Sequence, residues 1–405
     1  MAETAIPRGG RVRIGLVPGD LRAGAHVRIE ADGAIRVGGT ARFEGAAEVY
    51  GPFECRELRG KGGEVAVDGD LVVHGPIRVE DGALEVQGRL EAEAIDIDRR
   101  LHVKGPIRAT RVEVGGALQA DSSVTAREVS VGGTMVARGT VTAMEVEAGG
   151  SVEITDVAID RLEAGGRIRL RSGVVKDSIR VGGIFVSEGP LAFGQLEAGG
   201  TIELGGDAKG RAIEVGGTFR ARGNLEFTTL KIGGIGNIRG SIKGDSIEVG
   251  GILGCDGAVE LTGRLDSGGQ VAIAGDLGAD RVEVRGQLKA HQVVARTRIE
   301  IGGSLSTKTG TKSAEIVLDR KSHAGGPLVG GRVEIRSRAR AEQVYGADVR
   351  IDDGAEADRI VADTVRIGPG ARVGEVVYSN EAIVDPSARL ARPMRQVPEL
   401  GAFPL

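Results

Sequence analysis

Apolar residues recur in pairs two positions apart, and the pairs themselves recur on a longer cycle. From Val112, the pairs are Val112/Val114 around Glu113, Leu118/Ala120 around Gln119 and Val124/Ala126 around Thr125. The next stretch repeats this with Val129/Val131, Met135/Ala137 and Val141/Ala143, and the one before gives Ile95/Ile97, Leu101/Val103 and Ile107/Ala109. Successive pairs are spaced 6, 6 and 5 residues apart. Side chains at i and i+2 share one face of a strand. A helix would need apolar partners at i+3 and i+4, and those are missing. The pattern therefore predicts three short inward-facing strands per repeat, bent into a closed, triangular coil.

A Gly-Gly pair follows the first strand of each repeat, as in Val112-Glu-Val-Gly-Gly116, Val129-Ser-Val-Gly-Gly133, Ile179-Arg-Val-Gly-Gly183, Ile213-Glu-Val-Gly-Gly217, Ile247-Glu-Val-Gly-Gly251 and Ile299-Glu-Ile-Gly-Gly303. From Asp98 to Gly302 this corner returns every 17 residues, with one interval of 16 and one of 18. A fixed short period means stacked identical units. Coils stacked about 4.8 Å apart pair as parallel strands. The expected fold is an all-β, single-stranded parallel β-helix with about 17 residues per coil. Glycine is expected at the corners because it takes positive φ without steric cost.

The pattern divides the chain. Residues 1–34 read as an N-terminal segment forming the first coils or a cap, and 35–306 as the regular helix. In 35–306, Gly51-Pro-Phe53, Gly75-Pro-Ile77 and Gly105-Pro-Ile107 look like one corner slot entering the third strand, and the interval from Gly75 to Gly88 looks like a shortened coil. Residues 307–332 lose the pattern in the run Thr-Lys-Thr-Gly-Thr-Lys-Ser and read as an inserted loop or hairpin. Alternation resumes over 333–390, and 391–405, with Pro393, Pro398 and Pro404, reads as a tail.

Composition fits a slender solenoid. Of 405 residues 68 are glycine, aromatics are 2% and Trp is absent, so the core must be filled by Val, Ile, Leu and Ala. A net charge of −4 argues against nucleic acid as the main partner. The position between the paired apolar residues of the first strand is nearly always charged, from Asp96 and Glu113 to Glu283 and Glu300. It must face water, as a solvated stripe that discourages side-by-side association. No 18-residue apolar run and no signal-peptide pattern occur, so the expected location is cytoplasmic, with peripheral membrane attachment left open. The best candidates for such a contact are Ile6, Ile14, Leu16, Val17 and Leu21.

No catalytic, cofactor or metal site is expected. His26, His74, His102, His291 and His323 are scattered, with no metal-ligand spacing. Cys255 falls on an inward position and reads as a small buried hydrophobe. Gly310-Thr-Lys-Ser313 lacks the Gly-Lys adjacency and following helix of a phosphate loop. Polysaccharide-acting β-helices want a carboxylate cluster and aromatic platforms, and hexapeptide acyltransferases want strict sixfold spacing and a loop histidine.

Short coils, glycine corners, apolar-x-apolar strands and few aromatics resemble the bactofilins over residues 35–305, and more loosely over 333–390. That resemblance implies a right-handed triangular β-helix that polymerises end to end without nucleotide, sometimes on membranes. The chain departs from it by being several times longer than one such domain. The expected function is thus a non-enzymatic, self-assembling filament or scaffold protein. The expected contacts are Val12, Ile14, Val27 and Ile29 at one end, and Ile383, Val384, Ala388 and Leu390 at the other. Two alternatives are carried: a scaffold that binds a protein partner through the 307–331 loop, and a carbohydrate-active β-helix enzyme.

Overall fold

The computed structural model describes residues 3–404; residues 1, 2 and 405, at the limits of the predicted first and last segments, lie outside the described residues. The fold is the predicted one, an all-β parallel solenoid of about 23 turns, about 17 residues apart. The chain comprises two compact units, Met1–Gly200 and Thr201–Leu405.

In the first unit the three predicted strands of each coil stack in register. Val112 lies between Ile95 and Val129, Leu118 between Leu101 and Met135, and Val124 between Ile107 and Val141. All are buried, and each such Val, Leu or Ile contributes about 1.5–3 kcal/mol by leaving water. The second unit repeats the scheme: Ile247 sits between Leu230 and Leu265, and Val259 between Ile242 and Leu277. Two of the four fully buried phenylalanines are accommodated by glycine on the next rung. Phe43 stacks on Gly60 and Phe219 on Gly236, both glycines pointing inward where a Cβ would meet neighbouring aliphatic chains. Phe43 also packs against Phe53 across the core, ring centroids 6.1 Å apart.

The Gly-Gly corners exist for a different reason from the expected one. None of the paired corner glycines between Gly115 and Gly303 has positive φ. The constraint is vertical. A Cβ on Gly116 would run into the carbonyl oxygen of Arg99, and one on Gly133 into that of Gly116. The corner backbones stack so closely that only a hydrogen atom fits between them.

Three organisational expectations need correction. Gly75-Pro76-Ile77 enters the first side of a coil, where Ile77 pairs with Leu58 and Ile95, whereas Phe53 and Ile107 lie on the third side. No coil is shortened there; Gly75 and Gly88 are different corners. Residues 307–332 are not an inserted loop or hairpin. Ser304–Leu318 pairs in parallel with Gln287–Ile301, and His323–Ile335 continues the stack. Thr307, Thr311 and Ser313 are buried inward residues, with Thr311 between Val293 and Leu328. Thr307 Oγ1 lies 3.5 Å from Thr311 Oγ1 and donates to the Gly325 carbonyl at 3.4 Å, so hydroxyls fill positions held elsewhere by aliphatic groups. The N-terminal segment, by contrast, takes the first of its two expected forms, coils: Glu3–Ile6 pairs with Asp20–Ala23, Arg11–Arg13 with Val27–Glu30, and Leu16–Val17 with Arg36 and Val37.

Candidate functional site: the terminal strand edges

Each strand of the first coil pairs on one side only among the described residues. In Arg11–Arg13 the assignment of backbone groups is explicit. The Arg28 N–H donates to the Gly10 carbonyl and the Ile14 N–H to the Glu30 carbonyl. Backbone groups alternate in direction along a parallel strand, so Gly10, Val12 and Ile14 bond the second coil while Arg11 and Arg13 aim theirs at the open edge. In the second unit, Glu381–Val384 pairs back onto Thr364–Ile367, and Arg389–Leu390 back onto Arg372 and Val373, again on one side only.

The predicted contact residues divide. Val12 and Ile14 lie on the first coil and are half-buried. Val27 and Ile29 do not belong there. Ile29 is covered by Val12 on one side and Val49 on the other, and Val27 by Ala47. Both are essentially inaccessible, because one further coil precedes them. Val384, Ala388 and Leu390 are half-buried in the final coils, and Ile383 points outward with 52% exposure. The candidate membrane set does not form an exposed face either: Ile6, Val17 and Leu21 are core residues, Ile14 is half-buried, and Leu16 at 71% is the one well exposed. Among the described residues no helix is long and apolar enough to cross a membrane.

The charged column behaves as expected and also extends beyond what the sequence pattern revealed. Asp96, Glu113 and Glu147 in the first unit, and Glu248 in the second, point outward and are exposed. Neighbouring arginines relieve the repulsion: Arg111 lies 3.1 Å from Glu113, Arg285 lies 2.7 Å from Glu283 and 3.6 Å from Asp266, and Arg298 lies 3.2 Å from Glu300. Below Asp96 the same column is basic, with Arg22, Arg42, Arg59 and Arg78 on consecutive rungs. In those coils the pairs Gly38-Gly39 and Gly62-Gly63 do not directly follow the strand that carries the column, and coil lengths differ, so the alignment is invisible without the pairing.

Three of the five histidines have acidic partners on adjacent coils. His102 Nε2 lies 3.2 Å from Asp121 and Nδ1 3.8 Å from Glu85, all three half-buried. His74 meets Glu54 at 3.0 Å and His291 meets Asp276 at 2.8 Å. Among the described residues no group of three or more His, Cys, Asp or Glu is arranged to hold a metal ion. Cys55 and Cys255 are buried and unpaired, and burial pushes the Cys55 thiol up to about 12. Hydrogen bonds from Gln119 and His102 hold the Asp121 carboxyl below its ordinary value. A depressed carboxylate adds stability above its unfolded pKa, and that contribution is lost as pH falls through the folded pKa. Thermal melts should accordingly show Asp121→Asn costing stability at pH 7 and little at a pH below the carboxylate range; an equal cost at both would remove the ionic explanation.

No family model, no curated protein and no solved structure matches the chain.

Proposed function

We propose that this chain is a non-enzymatic structural protein of the bactofilin kind, assembling end to end into nucleotide-independent filaments or scaffolds. One observation carries the reading: the outermost strands of the first coil leave a row of backbone donors and acceptors unpaired among the described residues. Such an edge is a template for another strand. A parallel ladder continued by a second copy satisfies those groups and buries the half-exposed Val12 and Ile14 with them. Val384 and Leu390 offer the same kind of surface on the last coils. The partner-binding alternative loses its proposed element, since 307–331 is part of the coil stack.

Negative-stain electron microscopy over a concentration series, with and without nucleotide, tests the proposal. Filaments that lengthen with concentration and ignore nucleotide are expected. Single short particles at every concentration would end it.

A further inference from the structure

The outward column on the third side of the second unit changes character along the stack. In the earlier coils it reads Lys209, Glu226, Lys243 and Glu260, with Lys209 2.6 Å from Glu226 and Lys243 3.5 Å from Glu260, as a solvated face should. In the last coils it reads Val329, Tyr345, Val361 and Val377 on consecutive rungs. Val329, Tyr345 and Val377 are buried although they point away from the core.

The C-terminal segment covers part of this stripe. Arg395–Gln396 pairs with Val377 and Tyr378, Gln396 Nε2 donates to the Ser379 carbonyl at 3.2 Å, and the Val397 N–H donates to the Tyr378 carbonyl at 2.9 Å. The segment then leaves the coil path and crosses rungs. Phe403 packs on Tyr345 with ring centroids 5.9 Å apart, and Tyr345 lies two rungs from Val377 through Val361. Val397, Leu400 and Phe403 are the half-buried residues of 397–404, every third position. That spacing puts them on one side of an extended chain with three residues per turn. Tyr345 Oη donates to Gln343, which leaves the ring face free for the strap.

We propose that the stripe Val329–Tyr345–Val361–Val377 is a docking site for an extended apolar strap, and that it accepts the C-terminal segment of a second copy as readily as its own. Residues 391–396, which join the strap to the last coil, are all exposed: they are tied down by the backbone pairing of Arg395–Gln396 and by the Ala391 N–H donating to the Val373 carbonyl, with no apolar side chain buried. Few hydrogen bonds hold the strap, and lifting it bares contiguous apolar side chains that need cover. An identical segment from another chain restores the same contacts, which makes exchange a low-cost route to paired chains. This does not depend on the strand edges, because it joins copies through a flank.

Full-length chains carrying single reporters test it. Cys55 and Cys255 are buried, so introduced surface thiols are the ones that react. One chain carries Gln343→Cys beside the stripe, a second carries Ala402→Cys on the strap, and a short bis-maleimide links them. Mixing the two should give a covalent heterodimer. Adding Tyr345→Ser to the acceptor should cut its yield about tenfold, through loss of the aromatic contact. Excess synthetic peptide of residues 392–405 should compete. The proposal is overturned if a chain with both cysteines closes internally while the mixture gives no heterodimer. Absence of both products, or a yield indifferent to Tyr345→Ser, overturns it equally.

Discussion

Gly269→Ala is expected to destabilise the second unit by roughly 2–4 kcal/mol, while Gly268→Ala, one residue away, is expected to change stability by less than about 1 kcal/mol. The difference follows from what lies on the rung below. A Cβ on Gly269 would be driven into the carbonyl oxygen of Gly251, whose own Cβ position is blocked by Gly234 in turn. Rigid backbone meets rigid backbone, so no side-chain rotation relieves the clash. At Gly268 the nearest atom, the Val249 carbonyl oxygen, is 3.8 Å away, an ordinary contact. The chain itself has made the second experiment, placing Arg285 in the register of Gly268 and Gly302 while keeping Gly286 beside it. Because a solenoid opens locally, hydrogen exchange across residues 247–303 is the right readout beside denaturant melts. Equal costs at the two positions would refute the stacking argument and return the corner to conformational freedom alone.

Arg13→Pro is expected to abolish filaments while leaving the folded chain intact. Proline removes one backbone N–H, and at position 13 that donor points to the open edge rather than into the second coil. Its side chain gives up only the ion pair with Asp32, in which both partners are largely exposed and which therefore contributes little. Melting should shift by no more than about 0.5 kcal/mol in stability. Val12→Pro is the contrasting variant, since its N–H is directed to the second coil and its loss should unravel the first. Filaments of normal length from Arg13→Pro would show that this edge is not a joint. They would leave open a contact through the coils of 372–390.

Alternation in the sequence marks inward positions near both ends of the chain but not which coil each belongs to. Val12 and Ile14 alternate and lie half-buried on the first coil. Val27 and Ile29 alternate equally well, but nothing in their spacing reports that Glu3–Ile6, Arg11–Arg13 and Leu16–Val17 form a coil in front of them. Thr307, Thr311 and Ser313 break the apolar rule and so read as a loop; the hydroxyls of Thr307 and Thr311 find partners inside the stack, and in one dimension such a hydroxyl looks like a solvated one. Tyr345 and Val377 depart from it in the opposite sense, as apolar residues on outward positions, and the sequence pattern gives no sign of their cover, which arrives from the far end of the chain.

By itself the sequence determined the coil: its three sides, its parallel stacking, its period and which residue of each pair faces inward. Those properties are set by bond geometry between neighbours and by a repeat of nearly constant length. Only the tertiary structure decided which coil is outermost, that Arg22, Arg42, Arg59 and Arg78 share one column, that Asp121 meets His102, and that an outward apolar stripe lies under a strap. Each of these depends on what rests on the next rung, and coil lengths vary just enough that no fixed offset along the chain reveals it.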